Sequence, residues 1–138
     1  MISINPYLHF NGNCEEAFKA YERILGGTIG MTSRFSEAPP EMGSDPAFAD
    51  KIMHIRMRVG TTMLMGSDAP ASRYNTPQGF SVSVNVTDPA EADRIFAGLA
   101  EGGRVDMPIQ ETFWAQRFGM CQDRFGIAWL VNCEKENG

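Results

Sequence analysis

Two tandem β-α-β-β-β units, an α+β fold whose curved mixed sheets form a cleft, are what the sequence predicts, and three observations carry that reading. First, one order of patterns recurs along the chain: a strand, a helix and three strands, a βαβββ repeat. Second, each predicted helix stops at a glycine pair, Gly26-Gly27 and then Gly102-Gly103. Third, between Ile109 and Asn132 an aromatic run (Phe113, Trp114, Phe118) leads into the polar turn Gln122-Asp123-Arg124-Phe125-Gly126. The apolar run Ile127–Val131 follows, and two strands joined by an Asp-x-x-Gly turn make a β-hairpin. That hairpin is expected to wall a ligand cavity, with Glu111 and Trp114 near its mouth and Ile127–Val131 buried on both faces. The units are placed at 1–72 and 73–138 of a single domain.

Element by element, Ser3–Phe10 is rich in strand formers, and Pro6 suits an edge or a strand end. Asn13 is the expected N-cap of a helix over Cys14–Leu25, with Glu15 and Glu16 in the first turn, where the helix dipole favours negative charge. Ala17, Phe18, Tyr21, Ile24 and Leu25 recur at helical spacing on its apolar side. Thr28–Ser36 reads as a strand, and Glu37–Asp50, with three prolines and a glycine, as a loop suited to be a lid. In Lys51–Val59, Ile52, His54, Arg56 and Arg58 share one face, while Met53, Ile55, Met57 and Val59 share the other. Thr62–Gly66 pairs with it through Gly60-Thr61, and Ser67–Gln78 is a connector. Phe80–Val86 opens the second unit, Asp88 caps a helix with Pro89 at its first position, and Ala92, Ile95, Phe96 and Leu99 form its stripe. Arg104–Ile109, the run near Phe113–Cys121, and Ile127–Cys133 complete it.

Bulk properties narrow the function classes. A length of 138 residues, 43% hydrophobic and 21% charged, suits one soluble globular domain. No apolar run has the length of a membrane span, and the first ten residues lack the features of a signal peptide. Three cysteines, Cys14, Cys121 and Cys133, without CxxC spacing imply reduced, packed thiols and a cytoplasmic location. Cys121 and Cys133 would be nucleophiles only beside a base that lowers their pKa. A net charge of −5 without a Lys/Arg cluster argues against nucleic acid as partner. With two histidines in the chain, no Ser-His-Asp set can be assembled, and no P-loop is present. The catalytic residues, if any exist, are unknown at this level.

Pro6-Tyr7, Phe10-x-Gly12-Asn13-Cys14, Ala17, Tyr21 and Leu25-Gly26 resemble the opening of the PhnB-like branch of the vicinal-oxygen-chelate superfamily. Gln110-Glu111-Thr112-Phe113-Trp114-Ala115, Phe118-Gly119, Asp123-x-Phe125-Gly126 and Trp129 resemble its close. This is the superfamily of glyoxalase I, the extradiol dioxygenases and the bleomycin and fosfomycin resistance proteins. The resemblance implies the glyoxalase/bleomycin resistance-type fold and a homodimer. The branch also bears the label 3-demethylubiquinone methyltransferase-like, yet no glycine-rich strand-to-helix loop followed by an acidic residue is there to hold adenosylmethionine. Catalytic members of the superfamily hold a divalent metal with one ligand from each of four strands. The matching positions here fall on Pro6, His54, Phe80 and Leu130, and of these His54 alone can coordinate. No cofactor and no metal site are therefore expected.

His9 is expected to be buried and hydrogen-bonded, facing away from Pro6; were it to point inward, His9 and His54 would be two metal ligands and Glu111 a third. His54 is either a polar wall residue beside Arg56 or a direct ligand contact. The expected ligand-binding set is His54, Arg56, Met65, Phe80, Glu111, Trp114 and Asn132, taking a small anionic or aromatic molecule without chemistry. The alternative is a metal-dependent glyoxalase-, lyase- or dioxygenase-type enzyme with a non-standard site around His54.

Overall fold

The structure, a computed structural model, describes residues 1–39 and 46–135. The first unit runs β1 (Tyr7–Phe10), α1 (Cys14–Leu25), β2 (Thr28–Arg34), β3 (Ile52–Val59) and β4 (Thr62–Asp68). The second runs β5 (Val82–Val86), α2 (Pro89–Ala100), β6 (Arg104–Gln110), β7 (Ala115–Gln122) and β8 (Ala128–Glu134). Each unit holds a four-stranded sheet, in the orders β1-β4-β3-β2 and β5-β8-β7-β6. In each, the first and last strands pair in parallel and the other pairs are antiparallel. The compact units are Met1–Asn75 and Thr76–Gly138, so the division falls three residues beyond the expected one. The α+β repeat is the architecture read from the sequence.

In the first unit, Ala17, Phe18, Tyr21 and Ile24 of α1 are buried, as are Leu8, Phe10, Ile52, Ile55, Met57 and Leu64 of the sheet. Gly66 makes room for the helix: a Cβ there would lie 2.7 Å from Phe18 Cε1 and 2.9 Å from the Leu8 carbonyl oxygen. The second unit repeats the device, since a Cβ on Gly119 would lie 2.7 Å from Phe96 Cε1. Gly26 closes α1 in the left-handed conformation (φ 71°), its N–H donating to the Glu22 carbonyl, a conformation that costs a residue with a Cβ more.

The start of α1 differs from expectation. Asn13 makes no side-chain cap bond. Asp68, arriving from β4, accepts the Cys14 N–H at 2.9 Å with Oδ1 and the Ile52 N–H at 2.9 Å with Oδ2. A buried carboxylate accepts more strongly than a neutral carboxamide, so the tertiary partner displaces the local one. α2 keeps its local start, with Asp88 Oδ1 accepting the Ala90 N–H at 3.1 Å and Pro89 in the first turn.

Several strands shift their ends. β1 spans only Tyr7–Phe10, β2 gives way to a 3-10 turn at Phe35–Glu37, and Phe80 precedes β5. Phe113 and Trp114 precede β7. In β3 the pairing steps from Ser33–His54 to Arg34–Ile52, which places one extra residue in that strand. Ile52, expected to share a face with His54, is in consequence buried like Ile55 and Met57. The run Ile127–Val131 is not buried on both faces: Ile127, Trp129 and Val131 are buried, whereas Ala128 and Leu130 are half-buried. The hairpin turn itself holds as read, with the Asp123 N–H donating to the Ile127 carbonyl at 2.8 Å. Of the loop Glu37–Asp50, expected to act as a lid, residues 40–45 lie outside the described residues. Pro46–Phe48 forms a 3-10 turn, and the Phe35 N–H donates to the Lys51 carbonyl at 3.1 Å.

Gly66→Ala is expected to destabilise the fold by about 1–3 kcal/mol through overpacking against Phe18. Gly30→Ala is the control, since its Cβ would meet nothing closer than the Arg56 carbonyl at 3.8 Å. Urea denaturation midpoints check both; equal midpoints would contradict the packing argument.

Candidate functional site

With α1 covering one face of the first sheet, the side chains of the opposite face stand free of that helix. On β1 the period of two buries Leu8 and Phe10 and exposes Tyr7 and His9. On β3 His54 is half-exposed and Arg56 and Arg58 are exposed, while Ile55 and Met57 are buried. Tyr7 lies opposite Met65 and Met65 opposite Arg56, so the three form one row across β1, β4 and β3. The Tyr7 hydroxyl is 3.1 Å from His54 Nδ1, and the direction of that bond follows the imidazole tautomer. The Tyr7 ring also lies 5.3 Å from that of His9 and 5.7 Å from that of His54. His9 is thus exposed, not buried as expected, because the inward positions of β1 belong to Leu8 and Phe10.

Arg56 differs from the ion-paired arginines. Arg34 forks onto Glu15 at 2.6 and 3.2 Å, holding that carboxyl below its usual range, and Arg117 meets Asp93 at 2.7 Å. Arg56 has no carboxylate partner among the described residues; its Nη2 donates weakly to Met31 Sδ at 3.6 Å. An exposed guanidinium on the same face as a hydrogen-bonded imidazole and phenol presents donors suited to an anion.

The four positions weighed as metal ligands sit as follows. Pro6 precedes β1, and its carbonyl accepts the Met65 N–H at 3.2 Å. His54 lies on the open face, Phe80 is exposed before β5, and Leu130 is half-buried on β8. Among the described residues no three His, Cys, Asp or Glu side chains gather into a group that could hold a metal.

In the second unit, Asn85, Asn132, Phe118 and Gln110 form a row across β5, β8, β7 and β6. Asn132 is 9% exposed; its Nδ2 donates to Asn85 Oδ1 at a long 3.4 Å, and its buried Oδ1 has no partner. Leaving such an acceptor unpaired costs about 1–3 kcal/mol. A pocket of about 430 Å³ lies here, lined by Asn85, Val86, Thr87, Gln116, Asn132, Glu134 and Lys135. Glu111 is exposed and paired with Lys135 at 3.3 Å. Trp114 packs edge-on between Phe113 and Phe118, with ring centroids 4.8 and 5.2 Å away.

Of the expected site residues, His54, Arg56 and Met65 come together on the first sheet. Sequence reasoning left out Tyr7, whose alternation with Leu8 and Phe10 was the available signal. It also left out Asn85, Thr87 and Gln116, which carry no local signal. The thiols are core groups: burial, and then the charge of Asp123, push Cys121 up to about 11, and burial raises Cys14 and Cys133 as well.

A model of the family described as 3-demethylubiquinone-9 3-methyltransferase matches residues 2–132. The chain belongs to this PhnB-like family. Protein YjdN of Escherichia coli is 35% identical over 142 aligned residues, 96% of each chain. The crystal structure of PA1353 from Pseudomonas aeruginosa is 49% identical and superposes with a TM-score of 0.89, covering 99% of this chain and 100% of that one. A mutant form of the fosfomycin resistance protein FosX of Listeria monocytogenes shares 11% identity at a TM-score of 0.67, covering 99% and 97%. At that identity the likeness shows the fold alone, which is the two-unit vicinal-oxygen-chelate fold. As a PhnB-like protein the chain carries the methyltransferase description of its family. Its strand-to-helix turns, 11–13 and Thr87-Asp88, offer no glycine-rich cradle of the kind that holds adenosylmethionine.

Proposed function

We propose that this PhnB-like protein binds a small anionic or aromatic molecule, without the usual four-ligand metal set of its superfamily. The observation that carries the reading is Arg56: an exposed guanidinium, without a carboxylate partner among the described residues, on the same open face as the Tyr7–His54 pair. Desolvating such a group against an anion gives a charge-assisted bond stronger than a neutral one. His54, Arg56 and Met65 are the proposed contacts on the first unit, and Phe80, Glu111, Trp114 and Asn132 on the second. The protein works in the cytoplasm as a homodimer, with neither nucleic acid nor membrane as partner; among the described residues no helix is long and apolar enough to cross a membrane. FosX is described in complex with Mn(II) and a dihydroxypropylphosphonic acid. Phosphonates are accordingly the first anionic probes to try.

A second reading, an enzyme of the glyoxalase, lyase or dioxygenase type with a non-standard metal site around His54, is favoured by the exposure of His9. Two imidazoles flank Tyr7, where one was expected to be buried. A divalent ion there would polarise a bound oxygen. Two histidines alone make a sparse ligand set.

Arg56→Ala is expected to weaken a phosphonate ligand by about 1.5–3 kcal/mol, measured by calorimetry, with the denaturation midpoint nearly unchanged. Met57→Ala, on the buried side of the same strand, should instead cost about 2–5 kcal/mol of stability and leave affinity alone. The reverse outcome would invert the strand and remove the anion reading. Metal analysis of protein purified without chelator separates the two functions: stoichiometric divalent metal that is lost in His54→Ala establishes the enzyme reading instead. Sedimentation velocity should show twice the chain mass of 15.3 kDa; a single monomeric species would refute the homodimer.

A further inference from the structure

The pocket of the second unit has a chemical character of its own. Asn132 lies on β8, with Glu134 two residues further along the same side of the strand, and pairs in register with Asn85. Its carboxamide is nine-tenths buried, makes one long bond through Nδ2, and leaves Oδ1 without a donor. Glu134, Thr87 and Gln116 line the same pocket. Gln116 spends one N–H on the Glu134 carbonyl at 3.0 Å and keeps a second. The Lys135 ammonium is engaged by Glu111 at 3.3 Å. The walls therefore offer uncommitted acceptors and neutral donors together.

We propose that this pocket is a subsite for a carboxamide group. The ligand's NH2 supplies the donor that Asn132 Oδ1 lacks, and its carbonyl accepts from Thr87 or Gln116. Turning the Asn132 amide about its soft terminal torsion exchanges the 3.4 Å bond for a shorter one to the ligand. An ester of the same shape has no N–H and leaves Oδ1 unpaired. The pocket volume of about 430 Å³ accommodates a benzamide-sized group. The assignment rests on the preceding reading in one respect, that Asn132 is a ligand contact.

The test uses the full chain, labelled with 15N and titrated with benzamide and with methyl benzoate. Benzamide is expected to move the side-chain NH2 signals of Asn85, Gln116 and Asn132 saturably. Methyl benzoate should bind about tenfold more weakly, the worth of one neutral hydrogen bond. Asn132→Leu should abolish the preference for the amide. Should that variant fail to fold, the two probes on the unsubstituted protein decide alone. Equal binding of amide and ester, shifts confined to other residues, no binding of benzamide, or a preference surviving Asn132→Leu would each overturn the subsite. A phosphonate that binds through Arg56 while benzamide ignores Asn132 overturns this subsite and leaves the anion reading standing. Benzamide binding without any Arg56-dependent anion does the opposite.

Discussion

An aromatic ring seated on a glycine is the constraint on which each unit depends. Phe18 lies over Gly66 and Phe96 over Gly119, at distances that no Cβ would tolerate. That contact brings the helix down onto one face of its sheet and so decides which side chains are core. Met57 is fully buried for this reason, while Arg56, its neighbour in sequence, is exposed. The polar residues of the candidate site owe their availability to packing on the far side of the sheet.

Two buried carboxylates bind local structure to this arrangement. Asp68 joins the first turn of α1 to β3, and Asp123 accepts from the Phe125 and Ile127 N–H groups and from Trp129 Nε1 at 2.8 Å. Each satisfies several donors that would otherwise be buried unpaired, and those bonds offset the cost of taking the carboxylate out of water. Asp123 holds the β7–β8 turn so that Trp129, Val131 and Cys133 point inward. Leu130 and Asn132 are left on the other side. The pocket of the second unit follows from that division.

The proposed contacts stand where the fold leaves polarity unspent. Arg34, Arg94, Arg104 and Arg117 are paired with carboxylates at the surface, where such bridges add little stability. Arg56 instead lies near two thioethers, Met31 and Met65. Asn132 likewise keeps an unpaired oxygen in a buried place. The unpaired Asn132 acceptor is a cost to the chain, whereas the exposed Arg56 guanidinium keeps its hydration.

Local chemistry alone dictates the repeat, the two helices and their glycine stops, the β7–β8 turn and the alternation that separates Arg56 from Met57. These are legible in the chain because a helix stripe or a strand alternation is written within a few residues. Long-range packing settled the rest. Asp68, fifty-four positions from Cys14, took the capping role from Asn13. A bulge in β3 turned Ile52 inward, and Leu8 and Phe10 claimed the inner face of β1, leaving His9 exposed beside Tyr7. The pairing of Asn85 with Asn132 across forty-seven positions made a pocket that no local pattern announces. Such outcomes turn on which distant group wins a buried donor or a space in the core, a competition settled only when the sheets assemble.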